Sequence, residues 1–212
     1  MGFPFLRLDE PGEWPAAAQL FLLPKPIGSG FSFACRSVLV LLLALFTFQT
    51  VRGGYWAGPG WFLHNLNLPV HEAGHVVFGI FGNELLTSMG GSILQVLMPL
   101  VLCGSLWLGQ RDLIGGAAAL WWAFENVVGV AHYATDAWHM VLPLIGGGTG
   151  REVGGHDWNF ILDELGLLHR WREISDAMYA VGYAGMCLAV LWGAWALWYW
   201  WFHQRGKEQR AI

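Results

Sequence analysis

The chain has 212 residues, of which 55% are hydrophobic and 12% charged, with a mean hydropathy of +0.45. This composition excludes an ordinary soluble domain and a disordered chain, and it points to a polytopic membrane protein. The net charge of −4 and the lack of any basic stripe exclude nucleic acid as a partner and leave membrane lipid as the expected surroundings. The fourteen Trp residues fit membrane–water interfaces, where the ring is apolar and its N–H is wet, with some left for core packing. Cys35, Cys103 and Cys187 are far apart, odd in number and set in apolar surroundings, so they read as reduced, packed thiols.

Residues 1–30 carry Pro4, Pro11, Pro15, Pro24 and Pro26 and read as an N-terminal surface arm, not a secretory signal. The transmembrane helical domain follows over residues 31–203, with 149–173 as an extramembrane connection and 204–212 as a tail. Ser37–Val51 with Phe31–Arg36 is long enough to span, and Arg36 can snorkel to the headgroups. Arg52–Leu68 is rich in glycine and aromatics and reads as an interfacial loop. Pro69 suits a first helical turn, so a short helix is expected over Pro69–Phe81, re-entrant or buried in protein.

That helix holds His71-Glu72-Ala73-Gly74-His75, an H-E-x-x-H pattern. Positions i and i+4 share a helix face, so His71 and His75 can hold one metal together. Glu72 beside them can take a proton from water activated by that metal. The bland reading of five letters with two wildcards is chance, but polar groups in so apolar a setting are costly unless they face a protein interior.

Gly90–Leu108 is a second span, carrying Ser92, Gln95 and Pro99, and Leu113–His139 is a third. With Trp121–His139 as a helix, Glu125, His132, Asp136 and His139 fall within a wedge of about 60°, and Gly129 on the same stripe admits a close neighbour. This stripe offers partners for the H-E-x-x-H pair. Asp136 is the first choice for a third ligand, with His132 and His139 as rivals. Zn²⁺ is the expected ion, Glu72 the expected base, and Ser92 and Gln95 the supporting groups. The plainer reading is structural, with Glu125 paired to His132 and His139 at an interface. His156-Asp157, after the run Gly146-Gly147-Gly148, reads as a helix cap that could also reach the site from its loop.

An amphipathic helix is expected near 157–168, with Trp158, Ile161, Leu162, Leu165 and Leu168 on its apolar side. Ile174–Phe202 is the last span. The fold expected is an all-α integral membrane bundle of four spans plus the short motif helix, or five spans if that helix crosses. If it does not cross, both termini share a side that holds Arg7, Lys25, Arg36, Arg111, Arg205, Lys207 and Arg210, seven of the eleven basic residues. That favours cytoplasmic termini, with a bacterial inner (cytoplasmic) membrane as the expected location.

Residues 71–75, in an apolar helix followed by further spans, resemble the site-2 protease family of intramembrane zinc metalloproteases. The resemblance implies His71 and His75 as zinc ligands, Glu72 as the activating base, and a membrane protein or peptide as substrate. The family's third ligand is an aspartate on a later span in an Asn-Pro…Asp-Gly or Leu-Asp-Gly setting. Here the equivalent is Asp136 within Ala134-Thr135-Asp136-Ala137, a divergent context, and the matched region covers about residues 66–145. A zinc metallopeptidase is therefore the first expectation. The second is a non-catalytic subunit of a bacterial respiratory or photosynthetic membrane complex, with neighbouring subunits as partners and the His/Glu/Asp cluster vestigial or structural. A haem- or chlorophyll-type pigment protein ranks third, because Glu72 and Asp136 are poor neighbours for an apolar macrocycle.

Overall fold

The protein is described by a computed structural model covering Leu23, Ile27 and residues 29–204. Nearly all of the N-terminal arm and the tail after residue 204 lie outside the described residues. Among those described there are helices and no strands: α1 (Gly30–Gly53), α2 (Gly60–Gly79), α3 (Glu84–Gly104), α4 (Leu113–Thr135), α5 (Gly150–Val153), α6 (Asp157–Glu164) and α7 (Trp171–Tyr199). Four segments are long and apolar enough to cross a membrane: Gly30–Gly53, Glu84–Gly109, Leu113–Thr135 and Leu168–Phe202. This is the architecture of an all-α integral membrane bundle.

Local chemistry sets the helix ends. The Ser29 hydroxyl accepts from the Ser32 amide to start α1, and Gly54 at φ 83° ends it. Asn83 starts α3 by accepting from Leu86 N–H at 2.8 Å. Asp112 starts α4 by accepting from Gly115 N–H at 2.9 Å. Pro69 proves to lie inside α2, which begins nine residues earlier than the proline suggests, so much of the expected interfacial loop is helix. A proline here removes one ladder bond without ending a helix that is packed along its length.

α4 is the central helix: 61% of its most apolar window is buried, against 17% for α1, whose Val38, Leu41, Leu45 and Phe48 face outward. Gly182 and Gly185 of α7 sit directly against Phe124 and Val128 of α4, where a methyl group would collide. At one end of the bundle, Val40, Leu113, Ile114, Ala196 and Trp200 form one cluster, and Phe33 stacks on Trp200 at 4.7 Å. The start of α1, the start of α4 and the end of α7 therefore meet at this end, called proximal below. Arg36 adds a two-pronged hydrogen bond to Asp112 there, Nη2 to Oδ2 at 2.9 Å.

α1 runs from the proximal to the distal end, where Tyr55, just past it, packs on Gly129 near the end of α4. α3 runs the opposite way, because its Cys103 carbonyl and Trp107 lie against Gly116 near the start of α4. α2 joins the end of α1 to the start of α3, and both of those points lie at the distal end. Its Gly74 backbone touches that of Gly90 in α3, an approach only glycine permits. The two helices pack closely here, and α2 carries the H-E-x-x-H residues.

Candidate metal centre

His71 and His75 stand one turn apart on the inner side of α2, with ring centroids 4.9 Å apart. Each ring is held by its Nδ1. His75 Nδ1 lies 2.8 Å from the Thr87 carbonyl oxygen, and His71 Nδ1 lies 3.0 Å from Gln95 Oε1. Both partners come from α3. Gly91 of α3 makes room for the His71 ring, since a Cβ there would sit 2.5 Å from Nε2.

A carbonyl oxygen only accepts, so His75 Nδ1 carries the proton and donates to Thr87. The Gln95 oxygen sets the same tautomer on His71. In the neutral rings both Nε2 atoms then present bare lone pairs. They point at one oxygen, Asp157 Oδ2, at 3.2 Å from His71 and 3.3 Å from His75. Three electron-rich atoms converge with no proton of their own to share, and such a group holds together only around a cation, either added protons or a metal ion. His71, His75 and Asp157 are a group of possible ligands whose donor atoms all lie within 4.8 Å of one another. Two imidazoles and a carboxylate suit zinc, with further positions left open.

Asp157 opens α6. Burial acts to raise its pKa, but the hydrogen bonds and charge of His71 and His75 outweigh burial and hold it down to about 2. Its own amide donates to the Tyr133 hydroxyl oxygen at 3.1 Å, which ties α6 to the end of α4. The Tyr133 ring lies between His71, at 6.2 Å, and His156, at 4.4 Å. Glu72 is exposed beside the cluster, close enough for its charge to act on both His75 and Tyr133.

The other residues of the α4 stripe lie elsewhere. α4 stops at Thr135, so Asp136 and His139 fall beyond the helix whose periodicity placed them on one face with Glu125. Asp136 turns to the backbone instead, accepting from Val141 N–H at 3.1 Å and Leu142 N–H at 2.8 Å. Its remaining neighbour is His156 Nε2 at 3.4 Å. His156 Nδ1 accepts the Asn159 amide as the cap of α6, so Nε2 bears the proton and faces the carboxylate. Burial lowers the His156 pKa against the pull of Asp136 and Asp157.

His132 has both ring nitrogens engaged, receiving the Trp56 indole N–H at 3.0 Å on Nε2 and meeting the Tyr179 hydroxyl at 3.3 Å on Nδ1. It has no lone pair left for a metal. His139 is exposed, with its ring edge against Trp171. Glu125 pairs with Asn67 Nδ2 at 3.4 Å rather than with His132. The structure thus puts Asp157, and not Asp136, His132 or His139, with the two imidazoles. The clue in the chain is the His156-Asp157 pair beyond the glycine run. Gly154 and Gly155, at φ 75° and 83°, turn the chain back toward the bundle there. Of the two supporting groups, Gln95 orients His71, whereas Ser92 accepts the Trp158 indole N–H at 3.2 Å.

No protein-family model, curated protein or solved structure matches the chain.

Proposed function

We propose that the protein is a membrane-embedded, zinc-dependent hydrolase of the metallopeptidase kind, with His71, His75 and Asp157 as ligands and Glu72 as general base. The observation that supports it is the convergence of two imidazole nitrogens and a carboxylate oxygen, from segments more than eighty residues apart, on one point inside an apolar bundle. Zinc bound there would acidify water and polarise a substrate carbonyl. Thr87 and Gln95 hold the two imidazoles in the ligating tautomer. Glu72, free of structural partners that would orient it elsewhere and open to the surroundings, accepts the proton of the attacking water and returns it to the departing amine nitrogen. The Tyr133 oxygen receives the Asp157 amide, so its own proton is available to an oxygen gaining negative charge at the substrate carbonyl. The proximal end, with both described chain ends, faces the cytoplasm in this reading, and the cluster lies toward the opposite face.

Elemental analysis of the full chain, purified in mild detergent without chelator, tests the reading directly. One zinc per chain is expected, lost in His75→Ala. Cleavage of membrane-inserted peptides, followed by mass spectrometry, is expected to fall about 10³-fold or more in Glu72→Gln with zinc retained. A metal-free chain would favour a structural subunit of a larger complex, and cleavage by Glu72→Gln at the normal rate would remove the assigned base.

A further inference from the structure

Immediately beside the cluster is a second feature that the hydrolase reading does not use. A cavity of about 380 Å³ opens between α3, α4, α6 and the start of α7. Met89, Ile93, Val96 and Leu100 form its long wall on one stripe of α3, and Trp158 and Met178 close it from α6 and α7. Its lining is almost wholly apolar, so it offers ordered water nothing to bind. The one hydroxyl there, Ser92, is already taken by the Trp158 indole.

We infer that this groove is the binding site for a single long-chain acyl group, and that the substrate is an amide carrying such a chain. Shape argues for the occupant. From Met89 to Leu100 the groove runs about 16 Å along α3. A volume of about 380 Å³ spread over that length has a cross-section of roughly 20–25 Å². One hydrocarbon chain fits such a slot. The groove is open along one side, so a helix, about 10–12 Å across with its side chains, enters it only by single side chains and leaves most of its length unfilled. The two methionines add an adaptable wall suited to a flexible chain.

Position argues for the substrate class. The groove starts under α6 at the distal end and runs inward toward mid-bundle, the path of a chain whose polar head stays at the membrane surface. Its head lies beside the cluster by direct covalent adjacency. Gly91 and Gln95, which seat His71, alternate along α3 with Ser92 and Val96 of the groove, and Asp157 precedes Trp158. A chain laid in the slot brings the carbonyl at its polar end to the Ser92–Trp158 pair, the partition between groove and cluster. This assignment of substrate rests on the hydrolase reading, whereas occupancy of the groove by an acyl chain does not. In the reaction, a water oxygen bonds to the acyl carbonyl carbon, the carbon–nitrogen bond breaks, and the proton taken up by Glu72 passes to the amine nitrogen. The products are a fatty acid and a free amine.

The test uses the full chain in lipid nanodiscs, stripped of metal by chelator, with a photoactivatable diazirine in the tail of an N-palmitoyl amide. Peptide mapping is expected to place the label on residues 89–100, about tenfold above lipid-facing positions such as Val181 and Leu188. Ile93→Trp fills the slot and is expected to cut this labelling about tenfold, while Val101→Trp, on the exposed side of the same helix, leaves it unchanged. Leu100→Trp shortens the slot, so palmitoyl labelling falls and labelling by an N-hexanoyl probe, whose chain ends before that residue, stays, which also shows the variant to be folded. Labelling spread evenly over outward-facing positions, or untouched by Ile93→Trp, overturns the groove. So does preferential labelling of the groove by a single-span peptide carrying the same diazirine, which would make the occupant a helix. The substrate is read separately, as amine released from the N-palmitoyl probe by zinc-loaded protein and absent in Glu72→Gln. Groove labelling without such release retires the substrate class and leaves the acyl site standing.

Discussion

Two histidine–aspartate groupings lie within one side chain of each other at the distal end, separated by the Tyr133 ring, and they differ in what their atoms have left to offer. Around His71, His75 and Asp157, the outer nitrogen of each ring is tied to α3 and the inner ones aim at a shared oxygen. Around His156 and Asp136, the imidazole Nδ1 caps α6 and both carboxylate oxygens hold the turn after α4, which leaves only His156 Nε2 facing Asp136. The same residue types make a group of candidate metal ligands in one place and a loop clamp in the other. What decides between them is where the second nitrogen or second oxygen is committed, a matter of partners and not of composition.

The sharpest way to break this contrast is to remove each aspartate in turn. Asp157→Ala is expected to weaken zinc binding by about 10²–10³-fold, the share of one ligand in a structural-strength site. Asp136→Ala is expected to leave zinc affinity within about threefold. It instead destabilises the protein by about 2–3 kcal/mol, because the Val141 and Leu142 amides lose their acceptor in a partly buried turn. Zinc titration and thermal unfolding of both variants check the pair. Equal loss of zinc from the two would erase the distinction.

The fold was legible where the signal is long and one-dimensional. The four apolar runs became the four segments long and apolar enough to span, whereas the motif helix, expected to be short, is 20 residues long because it starts at Gly60. The site was legible only in part. His71, Glu72 and His75 announce themselves by spacing. Asp157 does not, because its place depends on a 21-residue excursion, 136–156, whose path is set by turns and capping bonds with no period to read. The stripe from Glu125 to His139 misled for a specific reason. Helical periodicity extrapolates past the point where a side chain can outbid the helix for backbone amides, and Asp136 does that one residue after α4 ends. His132 shows a second limit: its face was inferred from the period, but its partners Trp56 and Tyr179 come from distant segments.

A smaller effect tests the metal set through its packing rather than its ligands. Gly91 lies directly against the His71 ring. Gly91→Ala adds one methyl group at 2.5 Å from Nε2, so the imidazole has to leave its present position. Zinc affinity is expected to fall about 10–100-fold, the range seen when groups that orient a ligand are disturbed. Gly79→Ala, where the nearest atom to a new Cβ is 3.7 Å away, serves as the control on α2 and is expected to change nothing measurable in zinc binding. An unaffected Gly91→Ala would mean the His71 ring is not held where the cluster requires it.

The smallest expected effect sharpens the same lesson at the proximal end, where Arg36 and Asp112 form a pair whose role is purely structural. Burial acts to raise the Asp112 pKa, but the Arg36 guanidinium and the Gly115 amide bring it below the ordinary carboxylate value. A carboxyl depressed in the folded state binds its proton less readily there than in the unfolded chain. Its contribution is therefore complete above the unfolded pKa, about 3.9, and is lost as pH falls through the lower folded value. The pair is partly exposed, with side chains 33% and 24% accessible, so its share of stability is held to about 1 kcal/mol or less. Arg36→Gln is expected to lower the unfolding temperature by roughly 2–4 °C at pH 7, and the gap should close as the pH is taken down through the lowered folded pKa of Asp112. A gap that persists in acid would show that Arg36 acts by packing its stem, not by its charge. Asp112 would then resemble Asp136, an aspartate whose work is done on the backbone.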